Sequence, residues 1–383
     1  MEIYESGDIP TNPAIVNRET PLDSLNLNWG EKELPEKERT KHVHRLHPYL
    51  GKYIPQLVEV FLRKYFSVGQ RVFDPFSGSG TTLVQCNELG INSIGCDISG
   101  FNVMLTRAKT KAYSVKVVSQ EIEDILKRVQ ILVNDKLIYE TKSEYLKRWF
   151  ASSSLMELLA FRSLIPDYED QDILKVILSR AARSARLTTH YDLDFPKKPQ
   201  TDPYKCYKHS RICHPTEHAI QFLIRYGKDT INRIEQFSKI RTDAKVEIIH
   251  GNSRDINIGL IDGIITSPPY IGLIDYHDQH RYAYELLGIE DRSSEEIGAA
   301  KRGKSSKECI NYQELVIEVF NNAIKYMSKG GYIVVVAGDR NNLYPDIAAA
   351  CKVSEGAVIK RHVNRRTGRR SGEFYESIFV WRK

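Results

Sequence analysis

No run of about 18 apolar residues occurs anywhere in the 383-residue chain, so no membrane-spanning helix is expected. The first ten residues carry Glu2, Glu5 and Asp8 and lack an apolar segment, so no secretory leader is expected either. Cysteine is sparse. Cys86, Cys96, Cys206, Cys213, Cys309 and Cys351 are too scattered for a disulfide framework and read as free thiols in a reducing compartment. No internal repeat is visible, which speaks against a solenoid or propeller. No Gly-Lys-Ser/Thr follows the chain's glycine loop, which excludes a phosphate-binding P-loop. What is present is a globular composition, 41% hydrophobic and 27% charged, with enough apolar side chain for a sizeable core. At roughly 100–200 residues per domain, the length implies two domains or one large domain with an insertion.

The net charge is +6. Residues 360–383 hold eight Lys/Arg, among them Arg365, Arg366, Arg369 and Arg370, against Glu373 and Glu376. A second basic stretch between Arg183 and Arg211 includes Lys197, Lys198, Lys205 and Lys208. Either alone reads as a solvated loop; the two together point to a polyanionic partner.

Residues 1–45 are polar and poorly periodic and read as an N-terminal arm. A helix over Pro55–Tyr65 precedes a short strand, Gln70–Phe73, which runs into Asp74-Pro75-Phe76-Ser77-Gly78-Ser79-Gly80-Thr81-Thr82. A helix over Thr81–Leu89 and a strand over Asn92–Cys96, ending at Asp97, complete one βαβ unit. From about 115 to 241 the spacing turns helical, with an irregular, proline-containing stretch from Thr188 to Pro215. Strands then return at Lys245–His250, Ile261–Ile265, Tyr332–Val336, Ala357–Val363 and Phe374–Trp381, with a helix over Tyr312–Met327. The pattern is that of a doubly wound α/β domain split by a helical insertion.

Two segments carry chemistry. In the first, Gly78 and Gly80 let the backbone approach a ligand, and the helix that follows offers free N–H groups. Asp74 at the strand tip can meet a cationic group, and Asp97 can accept from a ribose diol. In the second, Thr266-Ser267-Pro268-Pro269-Tyr270 ends a strand. The two prolines form a rigid turn with carbonyls facing outward. The Ser267 hydroxyl beside the Pro268 carbonyl makes a pair of acceptors suited to an exocyclic amine. Tyr270 offers a flat ring for a planar base.

With both motifs present, the chain resembles the DNA amino-methyltransferases that use S-adenosylmethionine. Asp74–Thr82 matches their cofactor loop, and Ser267–Tyr270 matches their catalytic tetrapeptide in the serine-first form typical of cytosine-N4 enzymes. His44–Pro55, with Tyr49, Lys52 and Tyr53, resembles the segment that closes over the methionine end of the cofactor. Gly251-Asn252-Ser253 with Asp255 resembles the motif near the adenine ring, and Asp275–Gly288 resembles the helix that follows the tetrapeptide. The resemblance spans 42–113 and 245–383. It implies a mostly parallel seven-stranded sheet with a C-terminal antiparallel hairpin. The implied organisation is an arm over 1–45, a cofactor-binding half over 46–114, an insertion over 115–241 with a role in target recognition, and a catalytic half over 242–383.

The resemblance implies S-adenosylmethionine as cofactor, held by Asp74, Pro75, Phe76, Ser77, Gly78, Gly80, Thr81, Thr82, Asp97, Ile98, Asn252 and Ser253 together with Tyr49, Lys52 and Tyr53. It implies double-stranded DNA as partner, with Arg365, Arg366, Arg369, Arg370, Lys197, Lys198, Lys205, Lys208 and Arg211 on its backbone. A prokaryotic cytoplasmic enzyme paired with a cognate restriction endonuclease, not physically bound, is the expected setting. Adenine-N6 chemistry, methylation of RNA amino groups and a non-catalytic DNA-binding relative stay open as alternatives. No metal is expected: Cys206, His209, Cys213 and His214 are spaced unlike the usual zinc pairs. His277 and His280 read as polar residues on a helix face, Asp339 as a strand-end acid, and Trp29 as a residue that packs or stacks.

Overall fold

The computed structural model describes residues 2–4, 9–135, 139–194, 196–363 and 374–383. Ten strands are described. They are β1 (Glu2–Tyr4), β2 (Arg71–Asp74), β3 (Asn92–Asp97), β4 (Tyr204–Cys206), β5 (Arg211–Cys213), β6 (Val246–His250), β7 (Gly263–Thr266), β8 (Tyr332–Ala337), β9 (Ser354–Val363) and β10 (Phe374–Arg382). Eight form one sheet in the order β1-β9-β10-β8-β7-β2-β3-β6, while β4 and β5 form a separate hairpin. Only β10 runs antiparallel to its neighbours in the large sheet.

Strand periodicity explains how the sheet is covered. Neighbouring residues point to opposite faces, and here both faces are apolar, as a sheet covered on both sides requires. Val72, Ile265, Val334, Val336, Ile378 and Val380 pack with the helix Pro55–Tyr65. Phe73, Ile264, Ile333, Val335, Phe379 and Trp381 pack with the helices Ser306–Lys325 and Tyr344–Ala350. β2 lies between β3 and β7, so the chain winds outward in both directions from β2 and β7. The crevice beyond the carboxyl ends of these strands is where such sheets bind ligands.

The helices over 115–241 do not stand apart. Phe101, Met104, Leu105 and Ala108 recur at helical spacing on Gly100–Thr110 and share one core with Val118, Ile122, Ile125 and Val129 of the helix Val115–Asn134. The same core includes Tyr282, Ala283 and Leu286 of the helix Arg281–Leu287. The irregular stretch over 188–215 holds the β4–β5 hairpin, which the apolar spacing did not announce.

The N-terminal arm is also bound into the fold. β1 adds an eighth strand, parallel to β9, to the expected seven. Val16, Leu25 and Leu27 are buried against the Pro55–Tyr65 side of the sheet. Trp29 donates its indole N–H to the Thr11 carbonyl at 2.8 Å and lies under the Arg361 guanidinium, so it packs. Asp339 accepts from the Leu343 and Tyr344 amides and caps the helix that follows.

Arg361 corrects the charge reading of the tail. It is buried, facing Glu376 across the β9–β10 register, with Nη1 3.1 Å from Glu376 Oε2. Its Nε donates to the Leu27 carbonyl at 3.0 Å and so fastens the arm. Arg365, Arg366, Arg369 and Arg370 lie outside the described residues. Arg361→Ala should cost about 3–5 kcal/mol, because it leaves the Glu376 carboxylate buried and uncompensated. Chemical denaturation checks this; a loss below about 1 kcal/mol would mean that the pair behaves like a surface bridge.

Candidate active site

The turn after β2 is built around one carboxylate. Asp74 is fully buried. Its Oδ1 accepts from Thr266 Oγ1 at 2.6 Å and from the Phe76 amide at 3.1 Å. Its Oδ2 accepts from Thr82 Oγ1 at 2.5 Å and from the Tyr53 hydroxyl at 3.2 Å. Tyr53 and Thr82 also bond to each other. Burial raises the Asp74 carboxyl above its ordinary range, and these donors oppose the rise. Asp74 therefore faces inward and does not line the cavity beside it, whereas its place at the strand tip suggested contact with a cationic group. Gly80 and Thr82 are likewise behind the wall.

Gly78 and Gly80 have φ of +49° and +77°, and both turn the chain into the helix Thr81–Glu88. The Gly78 amide donates to Asp97 Oδ2 at 2.8 Å. The Ser99 amide and Asn102 Nδ2 donate to Oδ1 at 2.8 and 3.1 Å. Burial pushes the Asp97 carboxyl up to about 6 in spite of these donors. Ser253 Oγ donates to the Pro75 carbonyl at 2.6 Å and locks the loop after β6 onto the glycine turn.

One cavity of about 860 Å³, counting its open mouth, joins these parts. It is lined by Pro75, Phe76, Ser77, Gly78, Thr81, Asp97 and Ile98 from the first half. Tyr49, Lys52 and Tyr53 line it from the preceding segment, Asn252 and Ser253 from the loop after β6, and Ser267 and Pro269 from the turn after β7. Pro268 and Tyr270 lie outside that lining. The Pro269 carbonyl accepts from the Tyr312 hydroxyl at 2.9 Å. The Tyr270 hydroxyl donates to Glu376 Oε1 at 2.8 Å, and its ring stacks on Phe374 with centroids 5.9 Å apart. Tyr49 bonds to Asn102 and stacks on Tyr276 and His280. Lys52 donates to the His44 carbonyl at 2.7 Å, and burial lowers its amine to about 8.

Other lining residues had no clear mark in the sequence. His277 is buried, bonds to Glu296 through Nδ1, and turns towards the cavity, so it is not a polar residue on an outer helix face. His280 is buried too, and burial lowers its imidazole to about 3. Only their place just after the tetrapeptide signalled them. Lys197, Lys198, Lys205, Lys208 and Arg211 are all exposed. Their stretch is anchored by the Gln200 amide on the Leu187 carbonyl and by Arg186, whose guanidinium lies over the Tyr282 ring.

Comparison with known proteins gives the family. A family model described as DNA methylase (N6_N4_Mtase) matches residues 19–106. The type II methyltransferase M.MjaII of Methanocaldococcus jannaschii is 38% identical over 430 aligned residues, covering 90% of this chain and 81% of that protein. The chain belongs to the type II DNA methyltransferases. M.MvaI of Kocuria varians is 24% identical, with 64% of this chain and 55% of that protein covered. M.BsoBI of Geobacillus stearothermophilus is 23% identical, with 70% and 57% covered. No helix among the described residues is long and apolar enough to cross a membrane.

The methyl donor of this methyltransferase is S-adenosylmethionine, and the cavity fits it. Ser77 Oγ, Asn102 Oδ1 and His277 Nε2 are buried on cavity-lining residues without a partner among the described residues. Unpaired buried polar atoms of this kind are what a polar ligand satisfies. Asp97→Ala should weaken S-adenosylmethionine binding by about 1.5–3 kcal/mol, the usual worth of hydrogen bonds to a charged group. The wild-type affinity should also fall as pH drops through about 6, where Asp97 takes up a proton and loses its charge. Calorimetry across pH 5 to 8 checks both; a flat profile in the wild type would remove the Asp97 carboxylate from cofactor binding.

Proposed function

We propose that the methyltransferase acts on the exocyclic N4 amine of cytosine at a specific sequence in double-stranded DNA. One observation carries this reading. Ser267, the first residue of the tetrapeptide, opens onto the same cavity as Asp97 and the glycine turn. The acceptor for an amine and the cradle for the methyl donor thus share one space.

In this reading Asp97 holds the ribose hydroxyls, Ile98 and Asn252 flank the adenine, and Tyr49 and Lys52 close the methionine end. When bound, S-adenosylmethionine supplies an electrophilic methyl group on its sulfonium. The rest falls to the chain. The amine of cytosine is a poor nucleophile because its lone pair is delocalised into the ring. Ser267 Oγ and the Pro268 carbonyl accept its two hydrogens, which favours a pyramidal nitrogen and aims the lone pair into the cavity. Tyr312 helps hold the turn by donating to the Pro269 carbonyl. Glu376 and Phe374 fix the Tyr270 ring on which the base stacks, and Glu376 is steadied in turn by Arg361. Once methylated, the nitrogen is cationic and strongly acidic and gives up one proton to solvent, so catalysis rests on positioning and fixed dipoles without a strong general base.

The base must leave the helix to reach this pocket. The exposed Lys197, Lys198, Lys205, Lys208 and Arg211 suit contact with phosphates, which position a protein on DNA without reading sequence. The helical insertion that carries them is proposed to select the target, within a restriction–modification setting. The test is to offer the purified enzyme plasmid DNA from a methylation-free host and, in parallel, RNA, map the modified DNA positions by single-molecule sequencing, and identify the modified nucleoside in a digest by mass spectrometry. N4-methylcytosine in one sequence context is expected. N6-methyladenine would keep the enzyme class and overturn the base assignment. Activity confined to RNA would overturn the substrate.

A further inference from the structure

The β4–β5 hairpin poses a physical problem. A two-stranded hairpin is marginal in water without a core beneath it. This one turns through Ser210 at φ +52° and leaves Tyr207 82% and Ile212 59% exposed. Yet Cys206 and Cys213 are buried on it, at 2% and 7% exposure. Something other than apolar packing covers the two thiols.

His190 and His209 cover them. One ligand atom from each of His190, Cys206, His209 and Cys213 lies within 4.8 Å of every other. His190 Nδ1 is 3.6 Å from Cys206 Sγ, and His209 Nδ1 is 3.7 Å from Cys206 Sγ and 3.5 Å from Cys213 Sγ. These spacings are those of a filled coordination shell. With Zn–S of about 2.3 Å and Zn–N of about 2.0–2.1 Å, a tetrahedral angle puts sulfur and nitrogen about 3.5 Å apart. An S–H···N hydrogen bond spans a similar distance, so no single spacing marks a metal; the convergence of two imidazoles and two thiols on one point does. The sequence hid the set because His190 lies 16 residues before Cys206, whereas His214, the neighbour by sequence, is not in the cluster.

We propose that His190, Cys206, His209 and Cys213 bind one zinc ion. All four positions are filled by the protein, so the site is structural and leaves no place for a substrate or water. Binding releases the proton of each thiol to solvent, and two thiolates neutralise the ion. The Tyr204 hydroxyl, 2.9 Å from His190 Nδ1, gives up that contact to the metal and keeps the one it accepts from the His190 amide. The ion ties the end of the helix-to-hairpin connection at His190 to both strands. It thereby holds Lys205, Lys208 and Arg211 in one orientation. The inference rests on this cluster alone and is independent of which base is methylated.

The full-length protein, purified without chelator, should carry about one zinc per chain by elemental mass spectrometry, the ratio for one four-ligand site. After chelator treatment, cobalt(II) alone should produce the visible absorption of a tetrahedral thiolate site, which the d¹⁰ zinc form lacks. Cys213→Ser and His190→Ala should lose the metal, while His214→Ala keeps it. Should the first two variants fail to fold, the comparison moves to wild type: trypsin should cut between Lys197 and Arg211 faster after chelation, and zinc should reverse this. Absence of stoichiometric metal together with no cobalt signal would overturn the proposal. So would full metal retention in Cys213→Ser, or a Cys206–Cys213 disulfide in the freshly purified chain.

Discussion

A single buried carboxylate organises this methyltransferase. Asp74 ends the central strand β2 and receives hydrogen bonds from four different parts of the chain. Phe76 brings the glycine turn, Thr82 the helix after it, Tyr53 the segment before the domain's first long helix, and Thr266 the tip of β7. Taking a carboxylate out of water is costly unless its acceptor sites are filled, and here donors fill them. Because Thr266 directly precedes Ser267, the same group that shapes the cofactor turn also sets the start of the tetrapeptide. Asp74 and Thr266 lie 192 positions apart in the sequence and are linked by a 2.6 Å hydrogen bond.

The helical layer is built by a different logic. Its core is continuous with the helix Gly100–Thr110 and with the helix Arg281–Leu287 after the tetrapeptide. Buried histidines stitch the junction. His47 bonds to Ser179 Oγ, and its ring meets His280 edge-on at 5.5 Å. Burial lowers both imidazoles, so each serves as a neutral polar ring. Near this junction Arg186 lies over Tyr282, which ties the start of the basic stretch to the helix Arg281–Leu287 that follows the tetrapeptide.

The parts that were legible beforehand share a cause. Strands such as Tyr332–Ala337 are apolar on both faces, and the Asp-Pro-Phe turn and the Ser-Pro-Pro-Tyr turn use glycine and proline where only those residues suit the backbone. Local sequence therefore announced the βαβ unit, the order of the main elements and the glycine turn of the cavity, while Tyr49, Lys52, Tyr53, Asn252 and Ser253 came from the family resemblance. What escaped depends on contacts distant in sequence. Nothing around Asp74 says that its donors will come from Tyr53 and Thr266, so its motif suggested a ligand contact. His277 differs from an exposed helical histidine only through Glu296. Arg361 looks like one more surface cation until β10 sets Glu376 opposite it. His190 joins two cysteines only once the irregular stretch has folded back.

The central claim is that Asp74 couples the cofactor turn to the catalytic turn. The direct measurement is a calorimetric titration of S-adenosylmethionine into Thr266→Val, alongside its methylation rate. Thr266 does not line the cavity, and valine keeps its shape while removing the hydroxyl that Asp74 accepts from. Losing that bond should let the carboxylate relax, so a folded variant is predicted to lose cofactor affinity and turnover together. A folded Thr266→Val enzyme with wild-type affinity for S-adenosylmethionine would contradict the coupling.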